Sequence, residues 1–94
     1  MFEIMKSSET TVALVGRLDA SQEASAARVL DTLEQSTVLD FSELKYLASA
    51  GLGILMRTQK RLMASGQGLK IVNMNAHIRE IFEMAGFHQI FEIE

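Results

Sequence analysis

The chain has 94 residues, 48% of them hydrophobic, and a formal net charge of −3, which together indicate one folded domain, residues 1–94, and exclude a disordered chain. The acidic balance without a cluster of Lys or Arg argues against nucleic acid as a partner, and the lack of cysteine excludes disulfides and thiolate sites. No apolar run reaches the roughly 18 residues of a membrane span and no basic leader precedes an apolar core, so we expect a cytoplasmic protein without direct membrane insertion.

Two strands are predicted first. The stretch from Phe2 to Lys6 alternates weakly, with Phe2 and Ile4 on one side. Thr11 to Val15 is apolar or β-branched on both sides, which is typical of a central strand covered on both faces. Gly16 ends this second strand.

A first helix is predicted from the Asp19 turn to about Glu34. Asp19 can cap this helix, because Gln22 follows at the spacing of a reciprocal capping box, and Ser21 is the competing cap. The apolar side of the helix is mostly alanine, which lets a helix lie close to a sheet: Ala20, Ala24, Ala27, Leu30 and Leu33.

A third strand, Thr37 to Phe41, leads into a second helix, roughly Ala50 to Ala64. Apolar residues recur in this helix at helical spacing and are interrupted by Gln59: Leu52, Leu55, Met56, Leu62 and Met63. The polar side of the helix carries three cations that are expected to face solvent: Arg57, Lys60 and Arg61.

The turn between this strand and helix contains Ser49, Gly51 and Gly53. Ser49 is predicted to be the N-cap, since its hydroxyl can accept from the open N–H groups of the first turn. Each glycine costs up to about 1 kcal/mol relative to alanine in a helix, so two of them indicate a close approach, by the sheet or by a partner. One interpretation of this stretch is a purely structural turn. The alternative is a phosphorylated serine, because a hydroxyl at the positive end of a helix can carry a phosphate that N–H groups stabilise.

Gly66-Gln67-Gly68 ends the second helix, and Leu69 to Asn73 is a fourth strand. A third helix is predicted after an Asn75 cap, with Gly86 as its stop and an inner face formed by Ile78, Ile81, Phe82 and Ala85. A last strand covers Ile90 to Ile93. The alternation predicts an α/β fold, a mixed sheet of about five strands with about three main helices packed on it. Ligands of such sheets bind beyond the carboxyl ends of the strands, where Ser49 is expected.

Three stretches resemble the STAS domain family, the sulfate transporter and anti-sigma factor antagonist family. The central one is Asp40-Phe41-Ser42 followed by Tyr46-Leu47-Ala48-Ser49-Ala50-Gly51-Leu52-Gly53. Gly16-Arg17-Leu18-Asp19 resembles an earlier turn of the family, and Asn75 to Phe91 resembles its closing helix and strand. The chain departs from the family pattern at Ala48, where an acidic residue is usual, and at Ala50, where Ser or Thr is usual.

The resemblance implies an anti-sigma factor antagonist that works by partner switching, without a cofactor of its own. The unphosphorylated chain would bind an anti-sigma factor that is also a serine kinase, and phosphorylation of Ser49 would separate the two. A serine phosphatase would reset the chain, which is expected to be a monomer when free. The partner-binding residues implied are Asp19, Ala48, Ser49, Ala50, Gly51, Leu52 and Gly53.

No catalytic set can be assembled from the remaining residues. Ser49 lacks the Gly-x-Ser-x-Gly elbow of many hydrolases and has no base placed by the sequence. His77 and His88 stand eleven positions apart without a carboxylate pattern that would suit a metal. We therefore expect neither enzymatic activity nor a metal site. The alternative function is a non-phosphorylated STAS subunit that regulates a transporter or a lipid-export ATPase, and the alanines at 48 and 50 favour it.

Overall fold

The computed structural model describes all residues from 1 to 94. It contains five strands and three helices in the order β1 (Phe2–Lys6), β2 (Thr11–Leu18), α1 (Glu23–Leu30), β3 (Thr37–Leu47), α2 (Ser49–Met63), β4 (Leu69–Val72), α3 (Ala76–Met84) and β5 (Glu92–Ile93). Short 3-10 turns at Ala20–Gln22 and Phe87–Gln89 precede α1 and β5. The predicted α/β class, with a mixed sheet and three helices, is confirmed.

The strand order in the sheet is the order in the chain, β1-β2-β3-β4-β5. β1 pairs antiparallel with β2, and the three other pairs are parallel, each joined through one helix. Right-handed crossovers that always step in the same direction place their helices on the same face of the sheet. All three helices therefore cover one face, and the opposite face is bare.

The burial of β2 shows this one-sided packing. Val12, Leu14 and Leu18 are fully buried in a single hydrophobic cluster of 19 residues that the helices cover. The alternate positions from Thr11 to Val15 are only half-buried. The prediction that β2 is covered on both faces is therefore wrong, because no crossover is left to supply a helix for the second face.

The first helix is shorter than predicted, since α1 ends at Leu30 instead of near Glu34. Arg61 of α2 explains the end: its guanidinium donates to the carbonyl oxygens of Leu30 at 2.9 Å and Leu33 at 2.7 Å. Arg57 likewise forms an ion pair with Asp31 at 3.2 Å. The predicted solvent-facing side is confirmed, since Arg57, Lys60 and Arg61 are all exposed, and the two arginines in addition bind α1. The buried side of α1 also differs from the predicted alanines and consists of Ala26 and Leu30.

The buried side of α2 is rotated from the predicted stripe and includes the polar residue that interrupted it. Its buried residues are Gly51, Ile54, Leu55, Thr58, Gln59 and Leu62, whereas Met63 is 54% exposed. The Gln59 side chain accepts from the Leu69 N–H at 2.7 Å and donates to the Ile90 carbonyl at 2.8 Å. Gln59 therefore links α2 to the start of β4 and to the segment before β5.

The third strand extends six residues beyond the predicted end at Phe41, to Leu47. Its ladder with β2 contains irregularities, and Asp40 stabilises the first of them. One Asp40 carboxylate oxygen accepts from the Ser42 N–H at 3.0 Å and from the Asn73 side-chain amide at 3.1 Å. These bonds, the Ser42 N–H first, hold the pKa of the Asp40 carboxyl below its ordinary value.

The C-terminal part follows the prediction more closely. Asn75 caps α3 by accepting from the Ile78 N–H at 2.8 Å, and Gly86 ends the helical segment with a φ of 76°. Ile78 and Phe82 are the buried residues of α3, while Ala85 is exposed. The last strand is only Glu92–Ile93, because the residues before it form the 3-10 turn and the link to Gln59.

The double hydrogen bond of Gln59 generates a first prediction. Replacing Gln59 with Met keeps the volume but leaves the Leu69 N–H and the Ile90 carbonyl without this partner, at a cost of roughly 1–3 kcal/mol for each group that stays unpaired. We expect the midpoint of urea denaturation to fall. Lys60→Met, at the exposed neighbouring position, serves as the control. Equal midpoints for the two variants would contradict a structural role for the Gln59 link.

Candidate functional site

The candidate site lies at the carboxyl edge of the sheet, where β2 and β3 end side by side. Leu18 and Leu47 are register partners at the last rung, and the Ala48 N–H donates to the Leu18 carbonyl at 2.9 Å. This bond fixes the starting points of the two loops that follow. The Asp19 turn and the Ser49 turn are therefore neighbours, and Ser49 lies at the edge where the sequence places it.

Ser49 is the first residue of α2, and the prediction that it is the N-cap is wrong. Ala48, with φ −91° and ψ 171°, occupies the cap position and has no side chain that could accept from the helix. Ser49 is exposed, and its hydroxyl makes no hydrogen bond within the chain. A capping hydroxyl would be engaged with the backbone, whereas this one is free to react or to contact a partner.

The backbone around Ser49 favours negative charge. The first hydrogen bond of α2 runs from the Leu52 N–H to the Ala48 carbonyl at 3.1 Å, so the N–H groups of the preceding three residues have no backbone acceptor. They point out of the start of a helix of 15 residues, whose dipole is positive at this end. A phosphate on Ser49 would meet N–H donors within its own turn.

Asp19 stabilises the neighbouring turn, as the capping-box spacing predicts. Its carboxylate accepts from the Ser21 hydroxyl at 2.6 Å and from the Ser21 N–H at 2.9 Å, and the Gln22 side chain accepts from the Asp19 N–H at 3.0 Å. The Ser21 hydroxyl and then the Ser21 N–H lower the pKa of the Asp19 carboxyl. Ser21, the competing cap, thus acts as the donor to Asp19.

The two glycines of the Ser49 turn have different surroundings. Gly51 is buried, and a Cβ there would lie 2.6 Å from Leu47 Cδ1 and 2.8 Å from Leu18 Cγ. Gly53 is exposed, and a Cβ there would meet nothing within 4 Å. The close approach inferred from the glycines is therefore to the sheet at Gly51, and no contact within the chain requires Gly53.

The other predicted residues of the turn divide by exposure. Ala48, Ala50 and Leu52 are half-buried, and Leu52 packs against the edge of the hydrophobic cluster. Together with the exposed Ser49 and Gly53, they form a shallow, weakly polar surface.

Two residues at this edge were not singled out by the sequence. The Arg17 guanidinium lies over the Tyr46 ring, 4.2 Å from its centroid, beside the Asp19 turn. Asn73 follows β4 in a left-handed conformation, φ 61°, which asparagine tolerates better than most residues. The only sequence signal for Arg17 was its place in Gly16-Arg17-Leu18-Asp19, and Asn73 carried none.

The Ser49 surface is not a pocket. The largest cleft, about 560 Å³, lies among Ser36, Gln67, Leu69 and neighbouring residues, at the amino ends of β3 and β4 and thus at the opposite end of the sheet. His77 and His88 are both exposed, and no group of three or more metal-ligating side chains occurs. No helix has the length and apolar character needed to cross a membrane. A flat surface around Ser49 suits a macromolecular partner better than a small substrate.

The sequence matches a known family model and a named relative. The family model described as Mlab, STAS domain, matches residues 1–92. The chain is 36% identical over 81 residues to BtrV of Bordetella bronchiseptica, which is named as a candidate anti-sigma factor antagonist; the match covers 85% of this chain and 70% of BtrV.

Solved structures share the fold at low sequence identity. An anti-sigma factor antagonist from Mycobacterium paratuberculosis superposes with a TM-score of 0.83 at 19% identity, covering 99% of this chain and 83% of that one. The anti-sigma factor antagonist SpoIIAA in its unphosphorylated form gives 0.73 at 17% identity, covering 100% of this chain and 87% of that one. The phosphorylated form of SpoIIAA, a Bacillus cell fate determinant, gives 0.63 at 20% identity, covering 100% and 91%.

The contrast between the glycines generates a second prediction. Gly51→Ala places a methyl group against Leu18 and Leu47, so we expect a loss of stability despite the better helix propensity of alanine. Gly53→Ala has open space and should gain up to about 1 kcal/mol. Thermal denaturation of both variants measures the difference. A Gly51→Ala protein as stable as Gly53→Ala would show that the Gly51 contact is easily relieved.

The lowered pKa of Asp19 generates a third prediction. A carboxyl with a lower pKa in the folded state stabilises the fold fully above its unfolded pKa of about 3.9, and this contribution is lost as the pH falls through the folded value. The stability advantage of wild type over Asp19→Asn should therefore shrink below about pH 4. Urea denaturation between neutral and acid pH measures this difference in stability. Glu80→Gln, which removes an exposed carboxylate elsewhere in the chain, is the control. An advantage that does not change with pH would contradict the assignment.

Proposed function

Because the chain belongs to the STAS domain family, we propose that it is an anti-sigma factor antagonist whose partner binding is switched by phosphorylation of Ser49. The observation that carries the proposal is the state of the Ser49 hydroxyl, which is exposed and unbonded at the start of α2. No other serine of the chain combines the family signature with a helix start at the carboxyl edge of the sheet.

The proposed cycle assigns this chain the role of substrate and binding partner. Unphosphorylated, it binds an anti-sigma factor that is also a serine kinase and thereby releases the client of that factor. The kinase transfers the terminal phosphoryl group of ATP to the Ser49 oxygen, the hydroxyl proton is lost, and ADP leaves. A serine phosphatase hydrolyses the phosphate ester and restores the binding form. A kinase that uses ATP places the cycle in the cytoplasm, where the free chain is a monomer.

The physical basis of the switch is that the Ser49 turn can accommodate the charge of a phosphate, whereas an interface packed on Ser49 cannot do so without a large cost. A phosphate adds roughly −1.5 to −2 charge near neutral pH. The turn can accommodate it, because the open N–H groups of α2 face it and nothing in the chain has to move away from the hydroxyl. A partner surface packed on Ser49 would have to bury that charge, at a cost of several kcal/mol unless it is matched. The charge therefore separates the complex while the fold stays intact.

The proposed partner surface consists of the two neighbouring turns. Its contacting members are Asp19, Ala48, Ser49, Ala50, Leu52 and Gly53. Gly51 belongs to the same turn but is buried against Leu18 and Leu47, so it holds the surface in place. A Cβ at Gly53 would meet nothing in the chain, so the space above this exposed residue is open to the partner.

The similarity to BtrV and the shared fold with other antagonists support this assignment over the alternative. SpoIIAA is known in a phosphorylated and an unphosphorylated form, which is a property of that protein. Ala48 and Ala50 favour the alternative, a STAS subunit that regulates a transporter or a lipid-export ATPase without phosphorylation. The two functions differ in one measurable respect, the effect of a phosphate on affinity.

A fourth prediction tests the proposal with the anti-sigma factor kinase encoded in the same genome. Incubation with this kinase and ATP should add one phosphate, measured by intact mass, and Ser49→Ala should accept none. Ser42→Ala, at another exposed serine in the middle of β3, is the matched control and should still accept one. Ser49→Ala should keep its affinity for the kinase, because the hydroxyl makes no bond in the fold that its loss would disturb.

Calorimetry with phosphorylated and unphosphorylated wild type then decides the mechanism. We expect the phosphorylated form to bind at least about 100-fold more weakly, a difference of about 2.7 kcal/mol. Equal affinities would contradict the switch and favour the non-phosphorylated subunit. A phosphate found at Ser42 instead would contradict the assignment of the site.

A further inference from the structure

The bare face of the sheet is a second large surface, separate from the Ser49 turn. It is the face opposite the helices, and it carries apolar side chains from four adjacent strands: Met5, Ala13, Val15, Val38 and Val72. Sheets made of parallel strands are normally covered on both faces. We propose that this bare face docks a basic amphipathic helix of another protein, lying along β2. This inference does not rest on the function proposed for Ser49.

The apolar part of the bare face follows β2. Ala13 is the register partner of Met5 on β1, and Val15 stands one rung further along the same face. We call the bare-face side of β2, from Thr11 to Arg17, the strip. Val38 on β3 is the register partner of Thr11 at its first residue. Met5, on the β1 side, is 43% exposed. From Thr11 to Arg17 the strip is about 20 Å long, since a strand rises about 3.3 Å per residue. That length matches between three and four turns of an α-helix. Ala13 and Val15 are the apolar centre of the strip, and Thr11 and Arg17 are its polar ends.

Carboxylates flank the strip on both sides. Glu3 on β1 and Glu43 on β3 are both register partners of Val15, so they stand on either side of it in one row. They lie two strand spacings apart, about 10 Å, which is about the diameter of an α-helix with its side chains. Neither carboxylate forms an ion pair in the chain. Lysines at the flanks of an apolar helix stripe would meet them.

The cations on or beside the bare face are Arg17, Lys70 and the exposed Lys45 of β3. The Arg17 guanidinium lies over Tyr46, and Lys70 forms ion pairs with Glu94 at 2.7 Å and Glu92 at 3.8 Å. Asp40 adds a further carboxylate in the centre. The carboxylates outnumber these three cations, so the face is acidic around its apolar centre: Glu3, Asp40, Glu43, Glu92 and Glu94. A second copy of this chain would bring like charges together, and anionic lipid or nucleic acid would be repelled, whereas a basic helix complements the charge.

The experiment uses the full chain, isotope-labelled for NMR, and a synthetic peptide of about 14 residues in which Leu and Lys alternate at helical spacing. We expect saturable shifts of the methyl signals of Ala13, Val15 and Val38 at one peptide per chain. A peptide with Glu in place of every Lys should bind at least about tenfold more weakly, because it meets the carboxylates with like charge.

Two double variants with the same change in net charge separate specific docking from general attraction. Glu3→Lys with Glu43→Lys should weaken binding by about tenfold or more. Glu80→Lys with Glu83→Lys, on the exposed side of α3, should change it less than about threefold, as expected for surface charges away from the contact. Circular dichroism verifies that both variants fold.

Three results would overturn the proposal. They are shifts centred on the helices, equal weakening by the two double variants, and sedimentation showing that the free chain already covers this face by dimerising. Binding that is localised to the strip and sensitive to Glu3 and Glu43 supports it.

Discussion

The order of the strands is the constraint on which the rest of this structure depends. Each parallel strand is added on the same side of the previous one, so every right-handed crossover leaves its helix on the same face. One hydrophobic cluster then suffices for the whole chain, and it contains the buried side chains of both the helices and the covered face. The same rule collects the loops after β2, β3 and β4 at one edge and leaves the second face bare.

The Ser49 turn combines a rigid support with a free surface. The bond from the Ala48 N–H to the Leu18 carbonyl and the contact of Gly51 with Leu18 and Leu47 fix the start of α2 against the sheet. The Ser49 hydroxyl is exposed and makes no hydrogen bond inside the fold, and a Cβ at the exposed Gly53 would meet nothing within 4 Å. A modification of such a hydroxyl changes the charge of the surface with little effect on the packing beneath it. This separation suits a domain that changes partners without unfolding.

The chain belongs to the STAS family and departs from the family pattern at Ala48 and Ala50. Both alanines are half-buried and lie on either side of the free hydroxyl. They remove polar neighbours but leave the N–H groups of the helix start, which are backbone groups and do not depend on side-chain identity. The N–H groups that would stabilise a phosphate on Ser49 are therefore present in this chain, whereas no acidic side chain lies next to Ser49 in sequence.

The sequence by itself determined the features that depend on a few neighbouring residues. The Asp19–Gln22 capping box and the Asn75 cap each join residues three positions apart. The alternation of strands and helices and the Gly86 stop follow from residue types within each short segment. The family signature likewise placed Ser49 at the start of a helix. Its exact role there was mispredicted by one residue, because Ala48 can occupy the cap position when the sheet holds its N–H.

Only the tertiary structure decided the features that join distant parts of the chain. Gln59 reaches Ile90, Asp40 reaches Asn73, and Arg61 reaches Leu30, all across about 30 positions. These contacts set which side of α2 is buried, how far β3 continues and where α1 ends. The bare face also could not be read from the apolar, β-branched pattern of β2. Such a pattern reflects the preference of apolar and β-branched side chains for sheets. The direction of each crossover decides which face of the sheet the helices cover.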